Sequence, residues 1–180
     1  MDNFHEFVDK YRKQRHDFMN DIQVIYGYLQ LNKKDESIKY IEKMVGQNKS
    51  ISKMYALGDY NFAFFMEEVL GRLWKSESIV ELDVEIDSFS KEVFLNEYNK
   101  KINLVNNIIN ELENNKCKFV YIYIFEDELG ESLLISNNES CVNELDWMED
   151  WESLNTEVQD IDVYKYTDRE KIAYRLTFTS

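Results

Sequence analysis

Apolar side chains recur at steps of three and four along the first thirty residues: Phe4, Phe7, Tyr11, Phe18, Ile22, Ile25 and Leu29, with one slack position at Gln14 and Arg15. That period predicts a single long amphipathic helix. Proline, the residue that would most sharply interrupt it, is absent from the whole chain. Asn32-Lys33-Lys34-Asp35 breaks the stripe, and Asp35 or Ser37 can cap a second helix carrying Ile38, Ile41, Val45, Ile51 and Tyr55. Gly58-Asp59 marks its end. Two helices joined by so short a turn lie antiparallel, and one hairpin cannot bury its own apolar face. Pairing two hairpins into a four-helix bundle is the simplest remedy, and it predicts a homodimer.

Beyond residue 58 the pattern alternates between periods. Asn61 to Lys75 is helical, with Phe62, Phe65, Val69 and Leu73 in register. Val80, Leu82, Val84 and Ile86 alternate as in a half-buried strand. Ser90 to Asn114 reads as a long helix with Phe94, Leu95, Tyr98, Ile102, Val105, Ile109 and Leu112, and Phe119 to Phe125 as a strand. Asp127–Gly130 is a turn into a further strand near Ser132–Ile135. A short helix around Val142–Trp151 precedes a hairpin of Val158–Tyr166 and Ile172–Phe178, turning at Thr167-Asp168-Arg169. The expected fold class is α+β: a helical hairpin over residues 1–58 for dimerisation, then an α/β domain over 59–180.

Composition changes this picture little, but charge does. The longest uninterrupted apolar run, Phe119 to Phe125, is far too short to span a bilayer, and no secretory segment opens the chain. Cys117 and Cys141 show neither CxxC spacing nor a histidine cluster, which fits a reduced, cytoplasmic protein. The net charge of −14 is unevenly spread. Residues 1–55 hold ten Lys/Arg against eight Asp/Glu, a balance of +2; the remainder holds eleven against twenty-seven, a balance of −16. So acidic a chain, without a basic stripe, is a poor nucleic-acid binder, whereas its mildly basic N-terminal segment would accept an acidic protein partner.

Candidate chemistry concentrates in Arg15-His16-Asp17-Phe18-Met19-Asn20. With Phe4, Tyr11, Phe18 and Ile25 at position a of a heptad, His16 falls at f, the outermost position of a coiled helix. Asn20 and Gln23, four and seven residues on, share its solvent face. A histidine on an exposed face is usually incidental, and His5 is read that way. His16 differs in having a guanidinium, a carboxylate and an amide within a turn of it. Neutral imidazole is a competent nucleophile near physiological pH. Asp17 can orient the ring, Arg15 can neutralise charge on an arriving phosphoryl group, and Asn20 can hold the imidazole or the phosphoryl oxygens.

The run from Arg15 to Asn20, followed by Ile22-Gln23, Ile25-Tyr26-Gly27 and Leu29-Gln30-Leu31, resembles the phosphoacceptor helix of the sporulation-initiation phosphotransferase B family. The same R-H-D-[FW]-x-N element occurs in citrate/malate-type sensor histidine kinases. The resemblance covers about residues 11–55; farther on it rests on the order of elements. It implies that His16 is the phosphoacceptor, with Arg15, Asp17, Asn20 and Gln23 around it. It further implies transfer of a phosphoryl group between response-regulator aspartates, a dimeric four-helix bundle, a C-terminal domain shaped like a kinase ATP-binding domain, and a role in starting sporulation.

A kinase and a phosphotransferase make different demands on such a domain. ATP binding in that fold needs an asparagine-bearing helix, a D-x-G-x-G loop and a glycine-rich loop where backbone closes on the phosphates. Here the five glycines, Gly27, Gly46, Gly58, Gly71 and Gly130, are all isolated. Asp127-Glu128-Leu129-Gly130 lacks the second glycine of an adenine loop. Asn103, Asn106, Asn107 and Asn110 share a helix, as a solvated face equally would. Autokinase activity is therefore not expected, nor a cofactor bound by this chain; Mg²⁺ is expected on the partner response regulator. Met19, Tyr26 and Tyr28, outside the core stripe, are candidate docking residues. A divergent sensor-kinase fragment and a non-catalytic dimeric adaptor remain alternatives.

Overall fold

The computed structural model describes residues 2–115 and 117–179; the side chains of residues 2–4, 6, 7 and 10, and so the stripe positions Phe4 and Phe7, lie outside the description. The chain divides into two compact units, Met1–Lys49 and Ser50–Ser180. Helices come first and a mixed sheet with its own helices follows, an α+β arrangement.

In the first unit, helix α1 spans Asp2–Gln30 and α2 begins at Lys34, continuing to Ala56. The turn between them is set by Asn32, which takes up a left-handed φ of 55°. Its N–H and that of Lys33 then reach back to the carbonyls of Leu29 and Tyr28, at 3.1 and 2.9 Å. Asparagine tolerates this conformation better than most residues, and the paired bonds satisfy carbonyls that a helix end leaves open. The second helix starts ahead of both caps expected from the sequence. Asp35 stands in its first turn, where a carboxylate suits the positive end of the helix dipole. Ser37 is buried, its N–H bonded to the Lys33 carbonyl at 3.1 Å.

Polar and aromatic contacts join the two helices. The Tyr40 hydroxyl donates to Asp21 Oδ1 at 2.6 Å, and the Tyr28 and Tyr40 rings pack with centroids 6.4 Å apart. The apolar stripe is not consumed by this pairing. Tyr11, Phe18, Ile22 and Leu29 of α1 and Ile38, Ile41 and Val45 of α2 remain 41–56% exposed.

In the second unit, the end of α2 is followed by Gly58 at a φ of 84° and then by Asp59. The buried Asp59 carboxylate caps α3 (Tyr60–Lys75) by accepting from the Phe62 N–H at 3.0 Å, and its other oxygen accepts from the Phe94 N–H at 2.7 Å. Strand β1 (Ile79–Val84) and β2 (Phe119–Asp127) are parallel and joined through α4 (Tyr98–Asn114). Strands β3 (Gly130–Ser136), β4 (Glu152–Leu154), β5 (Ile161–Asp168) and β6 (Lys171–Phe178) add antiparallel pairs, giving the order β1-β2-β3-β6-β5-β4. Residues such as Leu70 and Leu73 of α3, Ile109 and Leu112 of α4 and Ile122, Ile135 and Leu176 of the sheet form the main core. A smaller cluster around Phe125, Leu134, Cys141 and Trp151 forms a second core.

Two expected elements differ in this unit. The helix expected from Ser90 begins only at Tyr98, behind Glu97 at a left-handed φ of 50°. Val93 and Phe94 reach the core from an irregular segment, pinned by Asp59 and by the Lys101 ammonium on the Val93 carbonyl at 2.6 Å. The short helix around Val142–Trp151 is instead a 3₁₀ stretch over Glu139–Asp150, broken by non-helical dihedrals at Trp147. The fully buried Arg175 is held by Asp127 through two bonds of 2.8 and 2.6 Å, by Ser132 at 3.0 Å and by the face of Phe125. Burial alone would raise the Asp127 carboxyl, but that guanidinium overrides it and holds the group below its ordinary value.

Candidate functional site

Helix α1 positions every residue nominated from the sequence. Its period turns Phe18 and Ile25 to one side and leaves His16 on the other, its side chain 75% exposed. Asn20 and Gln23, one and two turns farther along, are exposed on the same face. The structure joins His16 to two of the nominated residues. The Asn20 side-chain amide lies 3.1 Å from His16 Nδ1, and Asp17 Oδ1 lies 3.7 Å from the same nitrogen. Both therefore address Nδ1. Among the described residues nothing engages Nε2, which is left to solvent.

This arrangement has a chemical consequence. A ring nitrogen attacks with its lone pair, so a nucleophilic Nε2 requires the neutral ring to carry its proton on Nδ1. An Nδ1–H needs an acceptor. Turning the Asn20 amide over places its oxygen there, a choice that hydrogen bonding and not atom position decides. The Asp17 carboxylate beside it favours the same tautomer and balances positive charge developing on the ring. One turn of helix thus supplies a held nitrogen and a free one.

Arg15 is placed differently. Adjacent helix residues stand roughly 100° apart around the axis, so they do not face one another. No hydrogen bond or ion pair joins Arg15 to His16 among the described residues. The same geometry puts two residues that the sequence reading passed over onto the His16 face: Arg12, four residues before it, and Lys13, three before. The signal was present as i−4 and i−3 spacing. Met19 and Tyr26 are exposed, at 52% and 61%. Tyr28 is half-buried against Tyr40 and belongs to the hairpin contact instead.

In the second unit, the loop compared with an adenine site is the tight β2–β3 turn, with Gly130 at a φ of 114°. Asp127 there is committed to Arg175 and to the Leu129 N–H at 2.9 Å. On α4, Asn103, Asn107 and Asn110 are exposed, and Asn106 accepts from Arg72 at 3.2 Å. No group of three or more His, Cys, Asp or Glu side chains suited to a metal ion occurs among the described residues, and no described helix is long and apolar enough to cross a membrane.

Comparison with known proteins bears on the helical segment. The family model described as Sensor_kinase_SpoOB-type, alpha-helical domain matches residues 1–57. No curated protein sequence matches the chain. Among solved structures, Acinetobacter baumannii histidine kinase AdeS is similar over 91% of this chain and 97% of that chain, at 9% identity and a TM-score of 0.39. So loose a likeness carries no argument about the site. Over residues 1–57 the chain resembles the alpha-helical domain of SpoOB-type sensor kinases, a helical module of two-component signalling.

Proposed function

We propose that this protein is a histidine phosphotransferase of a cytoplasmic phosphorelay that initiates sporulation. As a homodimeric four-helix bundle it takes a phosphoryl group from the aspartate of one response regulator onto His16 and passes it to the aspartate of a second. The observation that carries this reading is the His16 ring: exposed, held at Nδ1 and free at Nε2, on a segment that matches the SpoOB-type domain.

Each transfer exchanges one bond for another. The Nε2 lone pair attacks phosphorus, an N–P bond forms, and the bond to the aspartyl oxygen breaks with its electron pair returning to the carboxylate. The ring keeps its Nδ1 proton, and Asp17 lies beside the positive charge that results. The second transfer is the reverse, onto another carboxylate. Asn20 sets the ring angle, Gln23 and Arg15 border the docking surface, and Met19 and Tyr26 offer exposed apolar contact to a regulator. The divalent cation and acidic pocket that phosphoryl transfer needs are assigned to the regulator.

Residues 1–58 are read as the phosphoacceptor and dimerisation module. The stripe from Tyr11 to Leu29, open to water in a single chain, supports that assembly. Residues 59–180 are read as a kinase-like domain without ATP binding. Isolated glycines and the capture of Asp127 by Arg175 support the absence of autokinase activity.

The test is a relay assembled without ATP: a receiver domain charged with labelled phosphate on aspartate, a second uncharged receiver, and this protein in catalytic amount. Label should reach the second receiver with wild type and stop with His16→Ala. Transfer that survives His16→Ala favours an adaptor, and labelling of wild type by ATP alone favours a kinase.

A further inference from the structure

Among the described residues no cation is paired with His16, and the transferred group is dianionic. Asp17, within 3.7 Å of the ring, adds repulsion against it. Three cations precede the histidine: Arg12, Lys13 and Arg15. Helical geometry separates them. Arg15 stands roughly 100° around the axis from His16, whereas Arg12 stands about 40° away and one turn before it. Residues four apart have Cβ atoms about 5–6 Å apart, well within the span of an arginine side chain. Asn20 occupies the matching place one turn after, so His16 is bracketed by a guanidinium at i−4 and an amide at i+4.

Arg12 is also free to move. Among the described residues it pairs with Asp9, at 3.6 Å, and both side chains are largely exposed. Exposed i,i+3 pairs of this kind are weak and easily exchanged for a stronger one. A phosphoryl group offers two oxygens to the planar guanidinium, a geometry that lysine cannot match.

We propose that Arg12, and not Arg15, is the cation that holds the phosphoryl oxygens during transfer to His16 Nε2. The inference rests on the phosphotransferase reading above. During transfer Arg12 leaves Asp9 and donates two hydrogen bonds to non-bridging oxygens while the bond to the leaving group lengthens. It neither gives nor takes a proton; it neutralises charge. Lys13, about 60° to the other side of His16, adds a second positive charge to the approach.

A small phosphoryl donor tests this without a regulator. Phosphoramidate transfers its phosphoryl group to imidazole with loss of ammonia, so the rate at which His16 gains label isolates the chemistry from docking. Full-length wild type, Arg12→Ala, Arg12→Lys, Arg15→Ala and His16→Ala are compared, with helix content checked by circular dichroism. The same series is then run with a charged receiver domain as donor. Arg12→Ala should slow labelling at least about tenfold with both donors, less than the roughly 10²–10³ lost with a donor in a water-excluded site because Arg12 is exposed. Arg12→Lys should recover part of the rate, and with phosphoramidate, where no docking enters, Arg15→Ala should slow labelling far less than Arg12→Ala does. An Arg12→Ala rate equal to wild type, or a loss seen with the receiver alone, overturns the proposal while leaving the phosphotransferase reading intact. Absence of His16 labelling in wild type by either donor overturns both.

Discussion

The two units of this chain solve the problem of apolar surface in opposite ways. The sheet unit closes on itself: Phe62, Phe94, Leu112, Ile122 and Leu176 are all fully buried, and aromatic rings interlock across the core, Phe62 meeting Phe94 at 5.1 Å and Phe89 meeting Phe178 at 5.6 Å. The hairpin unit does not. Phe18 and Leu29, spaced as core residues, are more than half exposed, and its helices meet through a hydrogen bond from Tyr40 to Asp21 and the packed rings of Tyr28 and Tyr40. The charges differ in the same sense. Arg175 in the sheet unit is enclosed by Asp127, Ser132 and Phe125, whereas His16 and Arg12 project into water. The sheet unit encloses its apolar and charged groups, and the hairpin leaves many of its own open to water.

The comparison breaks most visibly at Arg175. Removing it leaves the Asp127 carboxylate, 35% exposed, without its counter-ion and strips packing from Phe125. Loss of one partner of a buried pair costs about 3–5 kcal/mol, here toward the lower figure because of that exposure. Arg175→Ala should shift the denaturant midpoint of tryptophan fluorescence accordingly. Trp74, Trp147 and Trp151 all lie beyond residue 50, so this signal reports the sheet unit alone.

Phe18→Asp should do the reverse. A carboxylate in the open stripe weakens self-association by at least tenfold, about 1.4 kcal/mol, visible by sedimentation across a dilution series. The tryptophan unfolding midpoint should not move. A monomeric wild type, or an unchanged association constant, would mean that the stripe serves something other than a second copy.

Smaller effects sharpen the picture. Tyr40→Phe deletes the bond to Asp21 and should cost the hairpin about 1 kcal/mol, read from helix content on heating. That bond, together with burial, pushes the Tyr40 hydroxyl up to about 12. Because the folded value lies above the ordinary 10.0, the contribution is complete below pH 10 and is lost as pH rises toward 12. The gap between wild type and Tyr40→Phe should therefore close over that window. The sheet unit responds at the other end of the scale. Burial alone would raise Glu111, but bonds from Lys165 and Tyr174 outweigh it and hold the group below its ordinary 4.5, as Arg175 holds Asp127 below 3.8. Depressed carboxyls give stability that is present above those ordinary values and is lost as pH falls through the folded ones. Fluorescence-detected stability should decline below about pH 4, and more steeply than in Arg175→Ala.

Much of this was legible in the sequence because α1 keeps one period apart from the slack position at Gln14 and Arg15 and has no proline to disturb it. The face bearing His16, Asn20 and Gln23 follows directly from that period. Strand β1 was legible by alternation and β2 as an unbroken apolar run, whereas β4, of three residues, is too short to show either. Segment 90–97 reads as helix because Phe94 and Leu95 continue the spacing of Tyr98 and Ile102, although bonds from Phe94 to Asp59 and from Lys101 to Val93 fix it as a loop. Tyr28 looked like docking surface because only a contact across the hairpin, to Tyr40, makes it structural. Arg15 drew attention by adjacency along the chain, while on a helix the neighbour of His16 is Arg12.

The most direct test of the account is where the phosphate resides after the protein meets a charged receiver domain with no ATP present. Peptide mapping under alkaline conditions, with ³¹P spectra of the intact protein, locates both residue and nitrogen. The account predicts a single phosphate, on His16 and on Nε2, absent from His16→Ala. Phosphate on any other residue, on Nδ1, or nowhere would contradict it.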